Sequence, residues 1–181
     1  MTSAGRIIRL VVFDRDGTLV DDVPYNHETS HVVARDGALA AVAGARSRGM
    51  RTAVVTNQSG IARGLLTTDQ VERVNRHVDD LFGPFDAWGV CPHGPDDGCA
   101  CRKPAPGLLL EVTAATGVAV SQALMVGDRA ADVGAARAAD MPGVLVPSPS
   151  TEAHAYDLAD HVLAGMDELE DLLVTLTRRA S

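Results

Sequence analysis

Between Ile7 and Phe13 the chain reads Ile-Ile-Arg-Leu-Val-Val-Phe, and it then breaks at once into Asp14-Arg15-Asp16-Gly17-Thr18. A short apolar run cut off by a polar turn predicts a strand buried inside a sheet. Asp14 and Asp16 stand two apart at the point where that strand stops. If the chain curls there, both carboxylates face the space above the sheet edge, and Gly17 lets the backbone turn closely. Two acids held together oppose each other's ionisation. Such a pair calls for a cation, for a proton kept on one acid, or for both. The plainer reading is an ordinary Asp-Gly turn.

The rest of the chain repeats this arrangement. Apolar segments predict strands at Ile7–Phe13, Arg51–Val55, Ala87–Val90, Ala123–Val126, Gly143–Val146 and His161–Leu163. Helices are expected between them, at Gly37–Arg48, Thr68–Phe82, Pro106–Thr116 and Asp132–Ala139. A last helix is expected from Asp167, with Glu170 three residues on as a capping-box partner. The second helix carries an apolar stripe of Val71, Val74, Val78 and Leu81. Alternating strands and helices predict an α/β fold, with a mostly parallel sheet covered by helices on both faces. In such sheets ligands sit beyond the carboxyl ends of the strands. The polar clusters of this sequence fall at those ends: Asp14-Arg15-Asp16, Thr56-Asn57-Gln58-Ser59, the loop from Cys91 to Lys103, and Gly127-Asp128.

Each cluster has a chemistry. Asp14 is placed to attack a phosphoryl group, and Asp16 to give a proton to the leaving alkoxide and take one from water. Asp128 adds a carboxylate from a neighbouring strand, and converging acids suit Mg²⁺, a hard cation. Asp132 either orients this site or is a helix N-terminal acid favoured by the dipole. The Thr56 hydroxyl, expected at the start of a turn just past its strand, and the amides after it are suited to phosphoryl oxygens. Lys103, fixed by the following Pro104, would stabilise charge there, and Arg102 beside it suits bidentate recognition of an anion. A strand cap and a solvated basic pair are the plainer alternatives.

The three cysteines, Cys91, Cys99 and Cys101, lie within one short stretch that also holds His93. An odd, clustered set makes a poor disulfide framework. Three thiolates and an imidazole close a tetrahedral structural zinc site with no open position. Zinc would then staple the loop and position Arg102 and Lys103. At 181 residues one domain is expected, spanning 1–181. The net charge of −8 argues against a nucleic-acid surface. No apolar stretch is long enough to span a bilayer, and the N-terminus lacks the features of a signal peptide, so a cytoplasmic protein without a membrane partner is expected.

Together the segments Asp14–Leu19 (D-R-D-G-T-L), Thr56–Gly64 (T-N-Q-S-G-I-A-R-G), Cys101–Gly107 (C-R-K-P-A-P-G) and Val126–Asp132 (V-G-D-R-A-A-D) resemble the haloacid dehalogenase (HAD) superfamily of phosphatases. The cysteine-rich loop narrows the resemblance to the branch that holds D-glycero-D-manno-heptose-1,7-bisphosphate 7-phosphatases and histidinol-phosphatase domains. It implies a Rossmann-like, doubly wound sheet with a minimal cap. It implies Asp14 as nucleophile, Asp16 as acid/base, and Mg²⁺ held by Asp14, the Asp16 carbonyl and Asp128. Thr56 and Lys103 would stabilise the phosphoryl group. Asp22, Val23, Pro24 and Tyr25 would form a substrate-facing flap, and Thr56, Asn57, Gln58 and Ser59 a second substrate segment. Arg102 would recognise substrate, and a distal phosphate would need Arg102, Arg129 or Arg63.

The segments after Thr56 and Lys103 resemble the heptose enzymes more than the histidinol ones. Arg129 stands where the heptose enzymes usually carry lysine. The expected activity is Mg²⁺-dependent removal of the 7-phosphate from a heptose bisphosphate by a monomer. Histidinol-phosphate phosphatase is the nearest alternative, and a nucleic-acid 3′-phosphatase is disfavoured by charge. A catalytically silent sugar-phosphate sensor would not need the paired Asp14 and Asp16.

Overall fold

The computed structural model describes residues 7–178. Six strands, β1 (Leu10–Asp14), β2 (Arg51–Asn57), β3 (Ala87–Cys91), β4 (Ala123–Gly127), β5 (Gly143–Leu145) and β6 (His161–Val162), form one sheet in the order β3-β2-β1-β4-β5-β6. Every neighbouring pair is parallel. The helices are α1 (Ala38–Ser47), α2 (Thr68–Phe82), α3 (Gly107–Thr116), α4 (Ala130–Ala138), α5 (Ala155–Leu158) and α6 (Leu169–Arg178).

The period of two along β1 divides the core. Val11 and Phe13 face α1, α2 and α6, where they meet Val42, Val78 and Leu173. Leu10 and Val12 face the other way, toward Leu109 and Val112 of α3 and Ala135 and Ala136 of α4. A strand apolar on both sides is what a sheet covered on both faces requires. The α2 stripe is buried at Val71, Val74 and Val78, whereas Leu81 is exposed and Phe82 turns inward instead. Thr67 and Gln70 close a reciprocal capping box at the start of α2.

Most elements differ from the sequence reading by a residue at one end, and four differences have a clear physical reason or consequence. β1 begins at Leu10 rather than Ile7, because Ile7 is half-exposed and regular pairing with β2 starts at Leu10. β2 runs on through Thr56 and Asn57, paired to Val90 and Cys91. Thr56 is therefore a strand residue, not the first residue of a turn. α4 starts at Ala130, two residues before Asp132. A 3₁₀ turn at Met166–Glu168 precedes α6, and Glu168 takes the Ala164 N–H at 2.9 Å. Glu170 instead faces Arg48 at 2.7 Å, so the expected Asp167–Glu170 box does not form. The four-residue α5 is too short to leave a periodic pattern.

The chain winds outward from β1 in both directions, so β1 and β4 flank the point where strand order reverses. Asp14 ends β1 and Asp128 directly follows β4. We expect Leu124→Ala, which empties a fully buried position facing α1 and α6, to lower unfolding free energy by about 2–5 kcal/mol. Urea denaturation measures the loss.

Candidate active site

A cleft of about 340 Å³ opens above the carboxyl ends of β1, β2 and β4. Its floor is built from Asp14, Lys103 and Asp132, all buried. Lys103 Nζ lies 2.6 Å from Asp14 Oδ1 and 2.7 Å from Asp132 Oδ1, and donates to the Val55 carbonyl at 3.0 Å. Burial pulls the Lys103 ammonium toward neutrality, but Asp132 and Asp14 outweigh it and hold the proton on. Burial pushes the Asp14 carboxyl well above its ordinary range; Lys103 offsets part of this, and Asp132 and Asp128 add to it.

Carboxylate oxygens of Asp14, Asp128 and Asp132 lie within 4.8 Å of one another. Gly17 makes this approach possible. It turns the chain at φ +85°, and a side-chain carbon there would overlap the Asp128 carboxylate. Asp128 accepts the Ser148 hydroxyl at 2.6 Å, while its carbonyl accepts Thr151 Oγ1 at 2.5 Å. Burial pushes Asp128 up to about 6, against the pull of Ser148. A buried trio of hard oxygen donors with excess negative charge fits a divalent cation such as Mg²⁺.

Asp132 serves both purposes weighed for it. One oxygen takes Lys103, and the other caps α4 by accepting the Arg129 N–H at 3.0 Å. The Asp16 carboxylate is not in the trio. It faces Arg15, which grips it through Nε and Nη2 at 3.0 Å each, and it takes Gln58 Nε2 at 2.8 Å. Gln58 also donates to Thr56 Oγ1 at 2.9 Å.

Asp22, Val23 and Tyr25 line one wall of the cleft, and Asn57, Gln58 and Ser59 the other. Pro24 is exposed and is not among the lining residues. Arg63 donates to the Tyr25 hydroxyl at 2.8 Å and ties the flap to the loop after β2. Arg129 lines the rim between Asp22, at 4.0 Å, and Glu152, at 3.3 Å. His27 lies outside the lining, beside Glu28. Sequence reasoning missed Arg15, Ser148 and Glu152. The last of these accepts the Ala130 N–H at 3.0 Å. A serine and an acid in a Pro/Ser-rich connection carry no pattern that marks them.

Behind the cleft, Cys91, His93, Cys99 and Cys101 converge, each offering a ligand atom within 4.8 Å of the others. Three sulfurs and one nitrogen fit a tetrahedral zinc ion. Burial and the neighbouring thiols push Cys101 up to about 12. Burial opposes ionisation at Cys99 too, but the Arg102 N–H and the other thiols bring it down to about 7. The loop reaches the cleft through Arg102, whose Nη1 donates to the His93 carbonyl at 3.1 Å. Asn57 clamps the next residue: its amide accepts the Lys103 N–H at 3.1 Å and donates to the Lys103 carbonyl at 3.0 Å.

The carboxylate trio sets a measurable cost in the metal-free protein. Asp128 binds its proton more tightly folded, at about 6, than unfolded, near 3.8. Its contribution to stability is therefore full below the unfolded value and is lost as pH rises through the folded one. At 1.36 kcal/mol per pH unit the loss is roughly 2–3 kcal/mol. With chelator present, Asp128→Asn should flatten the pH dependence of the urea midpoint between pH 4 and 7. Added Mg²⁺ should no longer raise its melting temperature.

Comparison with known proteins agrees with this geometry. A HAD-hydrolase-like family model matches residues 100–171. The D-glycero-beta-D-manno-heptose-1,7-bisphosphate 7-phosphatase of Yersinia pestis is 36% identical over 173 residues, covering 88% of this chain and 92% of the relative. The Pseudomonas aeruginosa enzyme of the same name is 39% identical over 142 residues, 76% of this chain and 80% of its own length. The crystal structure of the D,D-heptose 1,7-bisphosphate phosphatase from B. bronchiseptica, complexed with magnesium and phosphate, superposes with a TM-score of 0.79 at 29% identity, covering 93% of this chain and 99% of that one. With relatives this similar over most of its length, the chain belongs to the heptose-1,7-bisphosphate 7-phosphatase family of HAD-like hydrolases.

Proposed function

We propose that this protein removes the 7-phosphate of D-glycero-D-manno-heptose 1,7-bisphosphate through a phosphorylated Asp14. The observation that carries the reading is the clustering of Asp14, Lys103 and Asp132 on the floor of one polar cleft, with the buried Asp128 carboxylate within 4.8 Å of the Asp14 and Asp132 oxygens, in a chain whose relatives bear that activity. An Asp14 oxygen attacks phosphorus, and the bond from phosphorus to the sugar oxygen breaks. The departing oxygen takes a proton from Asp16. Water then attacks the phosphoryl group, gives its proton back to Asp16, and frees Asp14. Lys103 favours the ionised form of Asp14 and faces the charge that gathers on the phosphoryl oxygens. Thr56 and the Asn57 amide would hold those oxygens; the Gln58 N–H is already given to the Cys91 carbonyl at 2.7 Å.

Asp14, the Asp16 carbonyl and Asp128 would hold Mg²⁺. The ion, when bound, supplies positive charge that offsets repulsion between Asp14 and an anionic phosphate. Cys91, His93, Cys99 and Cys101 would hold zinc in a structural role. The flap of Asp22, Val23, Pro24 and Tyr25 leaves room for a small soluble phosphosugar, and Arg102 and Arg129 supply cations for its second phosphate. The net charge of −8 fits such a substrate better than a nucleic acid.

The test is phosphate release with Mg²⁺ from both anomers of the heptose bisphosphate, beside histidinol phosphate. One anomer of the bisphosphate should exceed histidinol phosphate at least tenfold in kcat/KM. The reverse order would overturn the substrate assignment. Asp14→Asn should abolish turnover while preserving the fold and zinc content; retained activity would remove the covalent route. Metal analysis should find one zinc per chain, and Cys101→Ser should lose it and raise KM through displacement of Arg102 and Lys103.

A further inference from the structure

The guanidinium of Arg15 is the largest buried polar group without a part in the chemistry above. It is 2% exposed, and burying an arginine is costly unless its N–H groups are used. They are used in one arrangement. Nε and Nη2 grip the two oxygens of Asp16 at 3.0 Å each. Nη1 donates to Asn75 Oδ1 at 2.6 Å, across 60 residues of sequence, from a partly polar position in the middle of α2. Asn75 is itself buried. Among the described residues, Asp16 is the one acid that a salt bridge joins to Arg15. If this side chain only filled space, an apolar one would do so without the desolvation cost.

We infer that Arg15, braced from behind by Asn75, is the positioning residue for Asp16. A planar fork gripping both oxygens fixes the carboxylate's plane as well as its place, which a lysine point charge does not. The contacts also distinguish the two oxygens. Oδ2 accepts Arg15 Nη2 and Gln58 Nε2, with Thr56 Oγ1 at 3.5 Å, so its lone pairs are occupied. Oδ1 accepts only Arg15 Nε and keeps a lone pair for the substrate. Oδ1 is therefore the atom that passes a proton to the leaving oxygen and later takes one from water. The brace rests on the assignment of Asp16 as acid/base and deepens it.

The test reads the leaving group. An alkyl phosphate needs its departing oxygen protonated, whereas 4-nitrophenyl phosphate releases a stable phenolate without help. The rate of leaving-group release in the first turnover is measured by rapid quench, which excludes the later hydrolysis step. The alkyl substrate is whichever sugar phosphate the wild type turns over fastest. Arg15→Lys, which keeps the charge, and Asn75→Leu, which keeps the branched shape, should each slow alkyl release about 10- to 100-fold, part of the roughly 10²–10⁴ that general acid catalysis supplies. Each should slow aryl release less than about threefold. Asn75→Gln should recover part of the alkyl rate.

Asp16→Asn separates the two claims. If it shows the alkyl-selective loss and the Arg15 and Asn75 variants slow both substrates equally, Arg15 is only structural and the inference fails alone. If Asp16→Asn shows no selectivity, the acid/base assignment fails and the brace falls with it. Asn75→Leu leaves Arg15 in place, so it carries the test should Arg15→Lys not fold.

Discussion

The site depends on one buried ammonium. Lys103 sits between Asp14, at the end of β1, and Asp132, in the first turn of α4, and its third contact is the Val55 carbonyl of β2. Neither sign of charge is stable there by itself. Two buried carboxylates would protonate without a cation, and a buried lysine would lose its proton without them. Each condition answers the other only when β1, β2, α4 and the loop before α3 are all in register. The Lys103–Asp14 contact joins residues 89 apart, so the clamp forms only in the completed fold.

Support for the clamp comes from polar groups that do no chemistry of their own. Asn57 pairs both ways with the Lys103 backbone. The cysteine-rich loop delivers Arg102 and Lys103 together, with Arg102 tied back to the His93 carbonyl. On the opposite side, the connection after β5 reaches under the site: Ser148 and Thr151 hold Asp128, and Glu152 caps Ala130 and meets Arg129. The cleft edge is thus rich in satisfied polar contacts while the sheet below is apolar on both faces. Like charges are concentrated where the proposed reaction would receive a cation and a phosphoryl group, and burial raises the Asp14 and Asp128 carboxyls, a cost in stability in the absence of that cation.

Much of this could be read from the chain alone, for definite reasons. Six short apolar runs, with helical segments between most of them, mark a parallel sheet because a strand buried on both faces has little latitude in composition. The motifs stood out because Asp14, Thr56 and Asp128 each end or follow such a run, and Lys103 closes the loop that leads off another. What escaped notice was contact without pattern. Asn75 looks like one polar position of an amphipathic helix, and Arg15 like a spacer between two acids. Ser148 and Glu152 lie in a stretch that reads as a linker. The start of α6 lies beyond the expected one: a 3₁₀ turn at Met166–Glu168 precedes it, and Glu170 meets Arg48, a partner 122 residues away, rather than its own helix terminus.

The amino-acid order by itself determined the alternation of strands and helices, the cysteine cluster, and which residues would gather at the strand ends. Those follow from local burial and short-range spacing, which a linear string records. Only the tertiary structure decided that Asp132 joins the acid trio while Asp16 turns to Arg15. It also decided that β2 carries Thr56 within the sheet, and that a distant helix holds the arm behind the proposed acid. Side-chain direction and the competition between partners depend on distances through space, and those distances exist only once the chain has closed on itself.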